Sequence, residues 1–358
     1  MKVSSSKKVV YVAMSGGVDS SVAAALLKEQ DFDVVGVFMK PWQPLTIHNG
    51  CMWQKDREDA MRVAAKICIP LLTWDFSKEY KKEVTGYMIS EYKAGRTPNP
   101  DVMCNREIKF GLFLKKALKE GADLMATGHY ARIKKSKTKN IYRLFKAKDQ
   151  NKDQTYFLWT LNQEQLKYCL FPIGDYTKPE VRKLAVKFGL PTAEKKDSQG
   201  VCFIGPLDMK EFLKRHIKPK NGKIFDSNLG LVGTHDGVFY YTIGQRHGLN
   251  IKNGKGPYYV VRKDLKRNII YVGSSKDLLF KNMQLTGINW IIHPVDKRHS
   301  MSFIHRIDVR VRYRARLSKA VIDASGEVVF KKPETAVTPG QSAVFYKGEE
   351  LIGGGVIS

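Results

Sequence analysis

The feature that most constrains the fold is a strand, a glycine-containing loop and a helix packed into residues 9–30. Val9–Met14 is an apolar run of strand length, the loop Met14–Ser20 reads MSGGVDS, and Asp19–Gln30 carries apolar residues at helical spacing. Two glycines let a backbone approach a phosphate, and a helix N-terminus offers N–H donors. The loop is neither a Walker A loop nor GxGxxG. A plain Gly-Gly turn capped by Asp19 would suit any α/β protein, but the placement between strand and helix favours phosphate binding.

Strand and helix patterns alternate through the first two hundred residues. Apolar strands alternating with amphipathic helices are typical of an α/β fold, here a doubly wound parallel sheet. The further predicted strands are Val34–Met39, Pro70–Asp75 and Ala122–Thr127, and the helices are Asp56–Ile67, Lys78–Tyr92 and Ile108–Glu120.

The pattern changes after about Gly205. A helix at Asp208–Ile217 and a turn at Lys218–Lys223 precede short strands, and the chain from Lys276 has period-2 stretches that suit a small β-barrel. We therefore predict three domains, over residues 1–205, 206–275 and 276–358, of which the second is a small, mainly β domain. The central strands are predicted at Val238–Thr242, Tyr258–Arg262 and Ile269–Val272.

Charge points to a polyanionic partner. The 358 residues include 61 Lys and Arg against 35 Asp and Glu, a net charge of +26, and nucleic acid is the partner that such a charge fits best. A lysine-rich surface that reflects genome composition is the alternative. No apolar run is long enough for a membrane helix and no secretory signal is recognisable, so we expect a cytoplasmic protein with no membrane association. We expect it to be a monomer, although the sequence has no feature that specifies the oligomeric state.

Two cysteine-bearing segments are candidates for chemistry. In Thr97–Arg106 (TPNPDVMCNR) two prolines predict an extended loop up to a helix that begins near Asn105. Cys104 would then lie beside a helix N-terminus, which lowers a thiol pKa, and Asp101 could exchange protons with a substrate. A buried structural cysteine after a proline turn is an equally good interpretation of this segment alone.

The second segment is Asp197–Gly205 (DSQGVCFIG), where Cys202 lies between glycines. By itself, a cysteine between Val and Phe more often belongs to a core. The five cysteines include no Cys-x-x-Cys pair, so neither a zinc site nor an iron–sulfur cluster is expected. His48 and Cys51 alone make too weak a set of ligands, and we predict no metal site built by the protein.

Together these motifs closely resemble the tRNA-specific 2-thiouridylase family of N-type ATP pyrophosphatase (PP-loop) enzymes. The resemblance covers essentially the whole chain, and the motifs stand in family order. They are SGGVDS, TPNPDVMCNREIKF, TGHYAR at Thr127–Arg132, KDQTYFL at Lys152–Leu158, DSQGVCFIG and YTIGQRHGL at Tyr241–Leu249. The resemblance implies an ATP-dependent transferase that replaces the C2 oxygen of the wobble uridine (position 34) of tRNA with sulfur, forming 2-thiouridine, AMP and pyrophosphate.

The resemblance also implies which residues bind ATP, with Mg²⁺ expected to offset the phosphate charge. Adenylation would make the C2 oxygen a leaving group. The implied ATP-binding residues are Ala13, Met14, Ser15, Gly16, Gly17, Val18, Asp19, Ser20, Met39 and Gly128.

The resemblance assigns sulfur transfer to two cysteines. Cys202 would carry a persulfide, Cys104 would be the other catalytic cysteine and nucleophile, and Asp101 the general acid or base. Either the persulfide attacks C2 directly or Cys104 first releases sulfide from it, and both routes end in a transient Cys104–Cys202 disulfide. An external reductant is therefore implied, as is a sulfur donor, either a cysteine desulfurase or a relay protein.

Contacts with the tRNA anticodon stem-loop follow from the same resemblance. The implied tRNA-binding residues are Asn99, Pro100, Asp101, His129, Lys152, Asp153, Gln154, Arg312, Tyr313 and Gln341. Residues 306–317 also alternate arginines with apolar residues, which predicts a strand with a cationic, phosphate-facing side. The arginines are Arg306, Arg310, Arg312, Arg314 and Arg316. Tyr313 falls in the apolar register, so its RNA contact is the less secure of these.

Two other functions fit part of this sequence. Another adenylating PP-loop enzyme, such as an amidotransferase-type synthetase or argininosuccinate synthase, would need neither the two cysteines nor the basic β-domain. A non-catalytic RNA-binding protein would keep the arginines but could lose Asp101, Cys104 and Cys202 together. The intact set favours the thiolation enzyme.

Overall fold

The first part of the chain is built on a parallel sheet of five strands in the order β3-β2-β1-β4-β7. The computed structural model describes residues 7–42, 52–138, 140–197, 208–254, 256–293 and 305–358. The predicted strands are confirmed to within two residues at either end. The five strands are β1 (Val9–Met14), β2 (Asp33–Lys40), β3 (Leu71–Asp75), β4 (Leu124–Thr127) and β7 (Cys169–Leu170).

Helices cover both faces of this sheet, which confirms the doubly wound fold. Val10, Val12 and Met14 of β1 point into a core with α1, α2 and α8, whereas Tyr11 and Ala13 point into a second core with the helix that carries Cys104. The helices, in chain order, are α1 (Val18–Glu29), α2 (Met52–Lys66), α3 (Ser77–Tyr80), α4 (Gly86–Lys93), α5 (Pro100–Met103), α6 (Leu114–Lys119), α7 (Gln163–Leu166), α8 (Lys178–Lys187) and α9 (Met209–Lys214).

The strand order reverses between β1 and β4, since β2 and β3 lie on one side of β1 and β4 on the other. In open parallel sheets the crevice for ligands lies at such a switch point, outside the carboxyl ends of the strands. The loops after Met14 and Thr127 flank this crevice. Both were singled out from the sequence.

The helix that carries Cys104 begins earlier than the sequence predicted. It starts at Pro100 and continues through a π-helical stretch (Cys104–Phe113) into α6. Asn99 is the N-cap, with its side-chain oxygen accepting from the Val102 N–H at 3.4 Å, and Pro100 occupies the first helical position. Proline favours that position because it has no N–H to lose there, so the start near Asn105 was wrong and Cys104 lies within the helix.

The central part forms a four-stranded sheet in the order β10-β11-β8-β9. The predicted strand at Val238–Thr242 is wrong. Val238–Tyr240 is a turn of 3₁₀ helix, with Val238 and Tyr240 buried against this sheet, so a short apolar run was misassigned by period alone. The strands are β8 (Gly222–Phe225), β9 (Leu231–His235), β10 (Tyr259–Asp264) and β11 (Ile269–Gly273).

The last part is a closed barrel of six strands in the order β12-β15-β14-β13-β16-β17, with β12 also pairing β17. A hairpin from the first part, β5 (Ala131–Lys135) and β6 (Tyr142–Lys146), joins it through β17. Because this hairpin extends the barrel through a strand about 200 residues later in sequence, the predicted domain division stays a prediction. The barrel strands are β12 (Leu279–Trp290), β13 (His305–Arg310), β14 (Ser318–Ile322), β15 (Glu327–Thr335), β16 (Ser342–Lys347) and β17 (Glu350–Ile357).

None of the helices that the structure describes has the length and apolar character needed to span a membrane.

Candidate active site

The loop after β1 is organised by its own hydroxyl groups. The Ser15 N–H donates to Ser20 Oγ at 3.2 Å, while Ser20 Oγ and Ser21 Oγ donate to the Gly17 carbonyl at 3.1 and 2.8 Å. Gly16 has a φ of +73°, and a Cβ there would lie 2.1 Å from the Asp56 carbonyl oxygen. The loop therefore needs glycine both for its backbone conformation and for its contact with α2.

The loop after β4 lies directly against the start of α1. A Cβ on Gly128 would come within 2.6 Å of the Ser20 nitrogen and 2.8 Å of the Asp19 carbonyl carbon. The structure thus brings Gly128 to the predicted phosphate loop. Ala13, Met14, Val18 and Met39 have buried side chains, so a ligand in the crevice could meet only their backbone.

An ionic cluster that the sequence did not reveal surrounds Asp19. Its Oδ1 accepts from the Tyr130 hydroxyl and from Lys178 Nζ, both at 2.8 Å, and Lys178 also pairs with Asp197 at 2.7 Å. Asp197 further accepts from Lys152 at 2.6 Å and Arg182 at 2.8 Å. Burial alone would raise the pKa of Asp197. Hydrogen bonds from Lys152 and Lys178 outweigh this effect and lower that pKa to about 2.

Lys195 is a second cation at the loop. Its Nζ donates to the Gly16 carbonyl at 3.0 Å and pairs with Asp56 at 2.7 Å and Asp59 at 2.6 Å. Burial opposes the charge, but the hydrogen bonds that Lys195 donates to the two carboxylates raise its pKa. For Lys178 the sequence does contain a local signal. Thr177 and Glu180 form a capping box, which places Lys178 at the N-terminus of a helix.

Cys104 is completely buried. It shares an apolar core with Met39, Met103 and Phe110, among others, and Asp101 lies one turn earlier in the first turn of the same helix. Cys202 and the rest of Ser198–Leu207 fall outside the described residues. The pairing of Cys104 with Cys202 therefore stays a prediction.

The loop before this helix is held by the other two parts of the chain. The Thr97 N–H donates to the Pro339 carbonyl at 2.8 Å, and Thr97 Oγ1 lies 3.0 Å from Thr242 Oγ1. Gln341 Nε2 donates to the carbonyls of Thr97 at 2.8 Å and Pro98 at 3.1 Å. Gln341 thus lies beside the predicted base contacts Asn99, Pro100 and Asp101.

A cavity of about 80 Å³ lies beside Asn99. Met103, Thr160 and Ser342 contribute to its walls. The buried Thr160 hydroxyl has no hydrogen-bond partner among the described residues, which marks the cavity as a place for a polar group from outside the chain.

The remaining predicted RNA contacts near the sheet are buried or bonded within the protein. Burial, with the charge of Lys109, lowers the pKa of His129 well below its usual range, and its Nδ1 lies 2.7 Å from Thr127 Oγ1. Asp153 is buried and accepts from the Thr155 hydroxyl at 2.9 Å, whereas Gln154 Oε1 accepts from the Tyr130 N–H at 2.9 Å.

The arginine-rich strand is shorter than predicted. β13 ends at Arg310, and a turn follows in which the Ala315 N–H donates to the Arg312 carbonyl. Arg306, Arg312, Arg314 and Arg316 are exposed, but Arg310 is not, because it pairs with buried Asp153 at 3.3 Å. The Tyr313 ring packs on Phe157, with centroids 4.5 Å apart. The alternation therefore describes a strand and a turn, not one continuous face.

Three family models match the chain. They are the tRNA methyl transferase HUP domain over residues 8–206, the tRNA methyl transferase PRC-barrel domain over 210–274 and the aminomethyltransferase beta-barrel domain over 280–357.

Curated relatives match almost end to end. The tRNA-specific 2-thiouridylase MnmA of Bacillus licheniformis is 47% identical over 364 residues, which cover 97% of this chain and 94% of the relative. The Bacillus subtilis protein of the same name is 46% identical, with the same coverage, and that of Streptococcus thermophilus is 46% identical over 98% of this chain and 95% of its own. The chain belongs to the tRNA-specific 2-thiouridylase family.

Solved structures with a similar fold are more distant. One is a 4-thiouridine synthetase–RNA complex with bound ATP (TM-score 0.37, 18% identity, 59% of this chain and 50% of that one). Another is the NMN synthetase of Francisella tularensis (TM-score 0.31, 13% identity, 54% and 66%).

Membership of the thiouridylase family confirms the resemblance that the sequence motifs suggested. The candidate site that the structure describes has three components. They are the loop Met14–Ser20 at the switch point, the ionic cluster around Asp19, and the loop and helix at residues 97–104.

Proposed function

We propose that this chain is an ATP-dependent tRNA-uridine 2-sulfurtransferase that acts on the wobble uridine. The observation that carries the proposal is the 47% identity, over 97% of the chain, to a relative named tRNA-specific 2-thiouridylase. The glycine-dependent loop at the switch point and the helix bearing Asp101 and Cys104 are consistent with this activity.

ATP would supply the adenylyl group that turns the uridine C2 oxygen into a leaving group. Residues Ser15–Ser20 fit its phosphates, because they lead into the N-terminus of α1, where the N-cap Gly17 has no side chain to accept from the first N–H groups of the helix. Lys178 and Lys195 are the cations best placed beside this loop.

The charge balance at the loop supports a role for Mg²⁺. Four cations there are already paired with four aspartates, so a triphosphate can gain positive charge only by displacing a carboxylate from its cation or by bringing a cation with it. Among the described residues no group of three or more acidic, histidine or cysteine side chains could hold a metal. Mg²⁺ would thus be held mainly by phosphate oxygens and water, as is usual for this ion.

For sulfur transfer we propose a persulfide on Cys202, with Cys104 as the second thiol and Asp101 as proton donor or acceptor. In one route the terminal persulfide sulfur attacks C2 and AMP leaves, after which the Cys104 thiolate attacks the Cys202 sulfur and frees the thiolated uridine. In the other, Cys104 first attacks the Cys202 sulfur and releases sulfide, which then attacks C2 and displaces AMP. Either route leaves Cys104 and Cys202 joined by a disulfide. A reductant must then restore them, and a cysteine desulfurase or relay protein must reload Cys202. Since Cys104 is completely buried here, reaction requires the groups around its thiol to move.

The experiment that tests the function compares Cys202→Ser with Cys68→Ser, which alters an exposed cysteine. Each variant is incubated with unmodified tRNA, ATP and a cysteine desulfurase with its substrate, and the wobble nucleoside is analysed by mass spectrometry. We expect no 2-thiouridine from Cys202→Ser and the wild-type yield from Cys68→Ser, with tRNA affinity unchanged in both. Full thiolation by Cys202→Ser would eliminate the proposed carrier, and no thiolation by the wild-type protein would contradict the function.

A further inference from the structure

A cavity of about 400 Å³ lies where the three parts of the chain meet. Its walls come from the segment 94–97, from β10 and the residue after it, and from the barrel strands with the 337–339 turn. Sites for small organic ligands typically have volumes of about 300–1,000 Å³ and mostly apolar walls. Thr97, at the edge of the site described above, lines this cavity, but none of residues 13–20 or 98–104 does, so the cavity adjoins the proposed active site without sharing the residues proposed for catalysis.

One wall carries an amine that the proposed reaction does not use. Lys263 Nζ donates to the Tyr241 carbonyl at 2.7 Å, and no carboxylate of the described residues lies within 4.0 Å of it. Burial lowers the pKa of Lys263 to about 8. A half-buried ammonium that has a neutral acceptor gains from an anionic partner.

An irregularity in the backbone of β10 explains why consecutive residues of this strand line the cavity. The pairing of β10 with β11 shifts by one residue between Val260 and Arg262, and β-bulges of this kind re-aim side chains and are frequent beside functional sites. Val261, Arg262 and Lys263 all line the cavity as a result.

The charged side chains of the described lining residues are all cationic. Arg96, Arg262 and Lys263 line the cavity, and no aspartate or glutamate side chain is among the described lining residues. Arg96 is paired with Glu91, and Arg262 lies over the Tyr271 ring, 3.9 Å from its centroid. Lys263 is therefore the cation with the most to gain from a bound anion.

We propose that this cavity binds a small organic anion with an apolar body, with its acidic group against Lys263 and its body against Val261, Phe280 and Met283. A neutral ligand would leave the ammonium without a counterion. An inorganic ion would leave the apolar walls exposed to water.

The test uses pyridoxal 5′-phosphate as a probe, since it combines an aromatic ring, a phosphate and an aldehyde. The aldehyde condenses with an uncharged lysine amine with loss of water, and borohydride then reduces the imine to a stable secondary amine. The full-length protein is treated with a substoichiometric amount at pH 7.5, and label at each lysine is quantified by peptide mapping. Lys266, exposed on the turn after β10, is the matched control.

We expect Lys263 to be labelled at least tenfold faster than Lys266, with a rate that saturates as the probe concentration rises. Pyridoxine 5′-phosphate, which lacks the aldehyde, should slow labelling of Lys263 and leave Lys266 unaffected. Ala94→Trp, at the exposed edge of the cavity, should abolish the preference while the melting temperature stays unchanged. Two outcomes would overturn the proposal: Lys263 is labelled no faster than Lys266, or the analogue does not slow labelling of Lys263. Both are measured on the wild-type protein, so they decide the matter even if Ala94→Trp does not fold.

Discussion

Lys178 connects two carboxylates that otherwise would repel each other across the phosphate loop. Its ammonium lies 2.8 Å from Asp19 and 2.7 Å from Asp197, and its side chain is only 12% exposed. A phosphate that enters the crevice can take over this cation, because Asp197 retains Lys152 and Arg182 as partners. We interpret Lys178 as the residue that exchanges a protein carboxylate for the nucleotide.

Lys178→Met should therefore weaken ATP binding and slow pyrophosphate release. A hydrogen bond to a charged group contributes about 1.5–3 kcal/mol, so the expected loss is about ten- to a hundredfold. Calorimetry with a non-hydrolysable ATP analogue and a pyrophosphate-release assay measure the two effects. Lys183→Met, on the exposed side of α8, makes the same charge change and should behave as wild type. Equal losses in both variants would show that only net charge matters.

Asp197 gives a pH dependence with a defined sign. Its pKa is lowered to about 2 in the folded protein, against about 3.9 in an unfolded chain. Stability from its ion pairs is thus present above pH 4 and is lost as the pH falls toward 2. The difference in unfolding free energy between wild type and Asp197→Asn, measured with urea, should shrink across this window. Asp175→Asn, which alters a largely exposed carboxylate, should show no comparable change, and a wild-type advantage that persists to pH 2 would refute the pairing.

At the scale of elements, the β1–loop–α1 unit depends on contacts that only glycine permits. Gly16 and Gly121 both have positive φ values, +73° and +93°, but an added Cβ meets the Asp56 carbonyl at the first and nothing within 4 Å at the second. Comparing alanine substitutions at the two glycines therefore distinguishes the cost of a positive φ, which both would have, from the cost of steric overlap, which only Gly16 would have.

Gly121→Ala should cost about 1–2 kcal/mol, the usual penalty for a left-handed alanine. Gly16→Ala should cost more and should also abolish ATP binding, since either the loop or the first turns of α2 must move. Chemical denaturation gives the free energies of unfolding, and titration with the ATP analogue gives the affinity. Equal destabilisation, with ATP binding retained in Gly16→Ala, would contradict the tight contact between the loop and α2.

The sequence predicted the elements whose pattern is local and missed those fixed by distant contacts. Val9–Met14 was predicted to the residue, because both faces of the strand are buried and its apolar run is unbroken. The hairpin β5–β6 was missed, since its partner strand β17 lies some 200 residues later. Likewise, the phosphate loop was readable as a motif, but Lys178 and Lys195 reach it only through tertiary folding.

At the scale of the whole molecule, the three parts interlock around Thr97. Its backbone and hydroxyl contact Pro339 and Thr242, and Gln341 binds its carbonyl. The β-barrel therefore does more than present arginines, because it also holds the loop that precedes Asn99 and Asp101. A tRNA that contacts Gln341 would compete with the hydrogen bonds from Gln341 to the loop at Thr97 and Pro98. Loss of these bonds would free the loop that precedes the helix carrying Cys104, so RNA binding could change the position of that helix.

The net charge of +26 predicts tRNA binding that weakens with salt, and two arginines of the barrel should contribute to it differently. Arg314 is exposed in the turn after β13, so Arg314→Gln should lower tRNA affinity and reduce the slope of log K against log salt by about 0.7–0.9. Arg310 is 12% exposed and pairs with buried Asp153, so Arg310→Gln should leave that slope unchanged. It should instead lower the melting temperature by about 3–10 °C, because it leaves a buried carboxylate without its cation. Filter binding at several salt concentrations and thermal denaturation separate the two effects, and a reduced slope for Arg310→Gln at wild-type stability would place that arginine on the RNA instead.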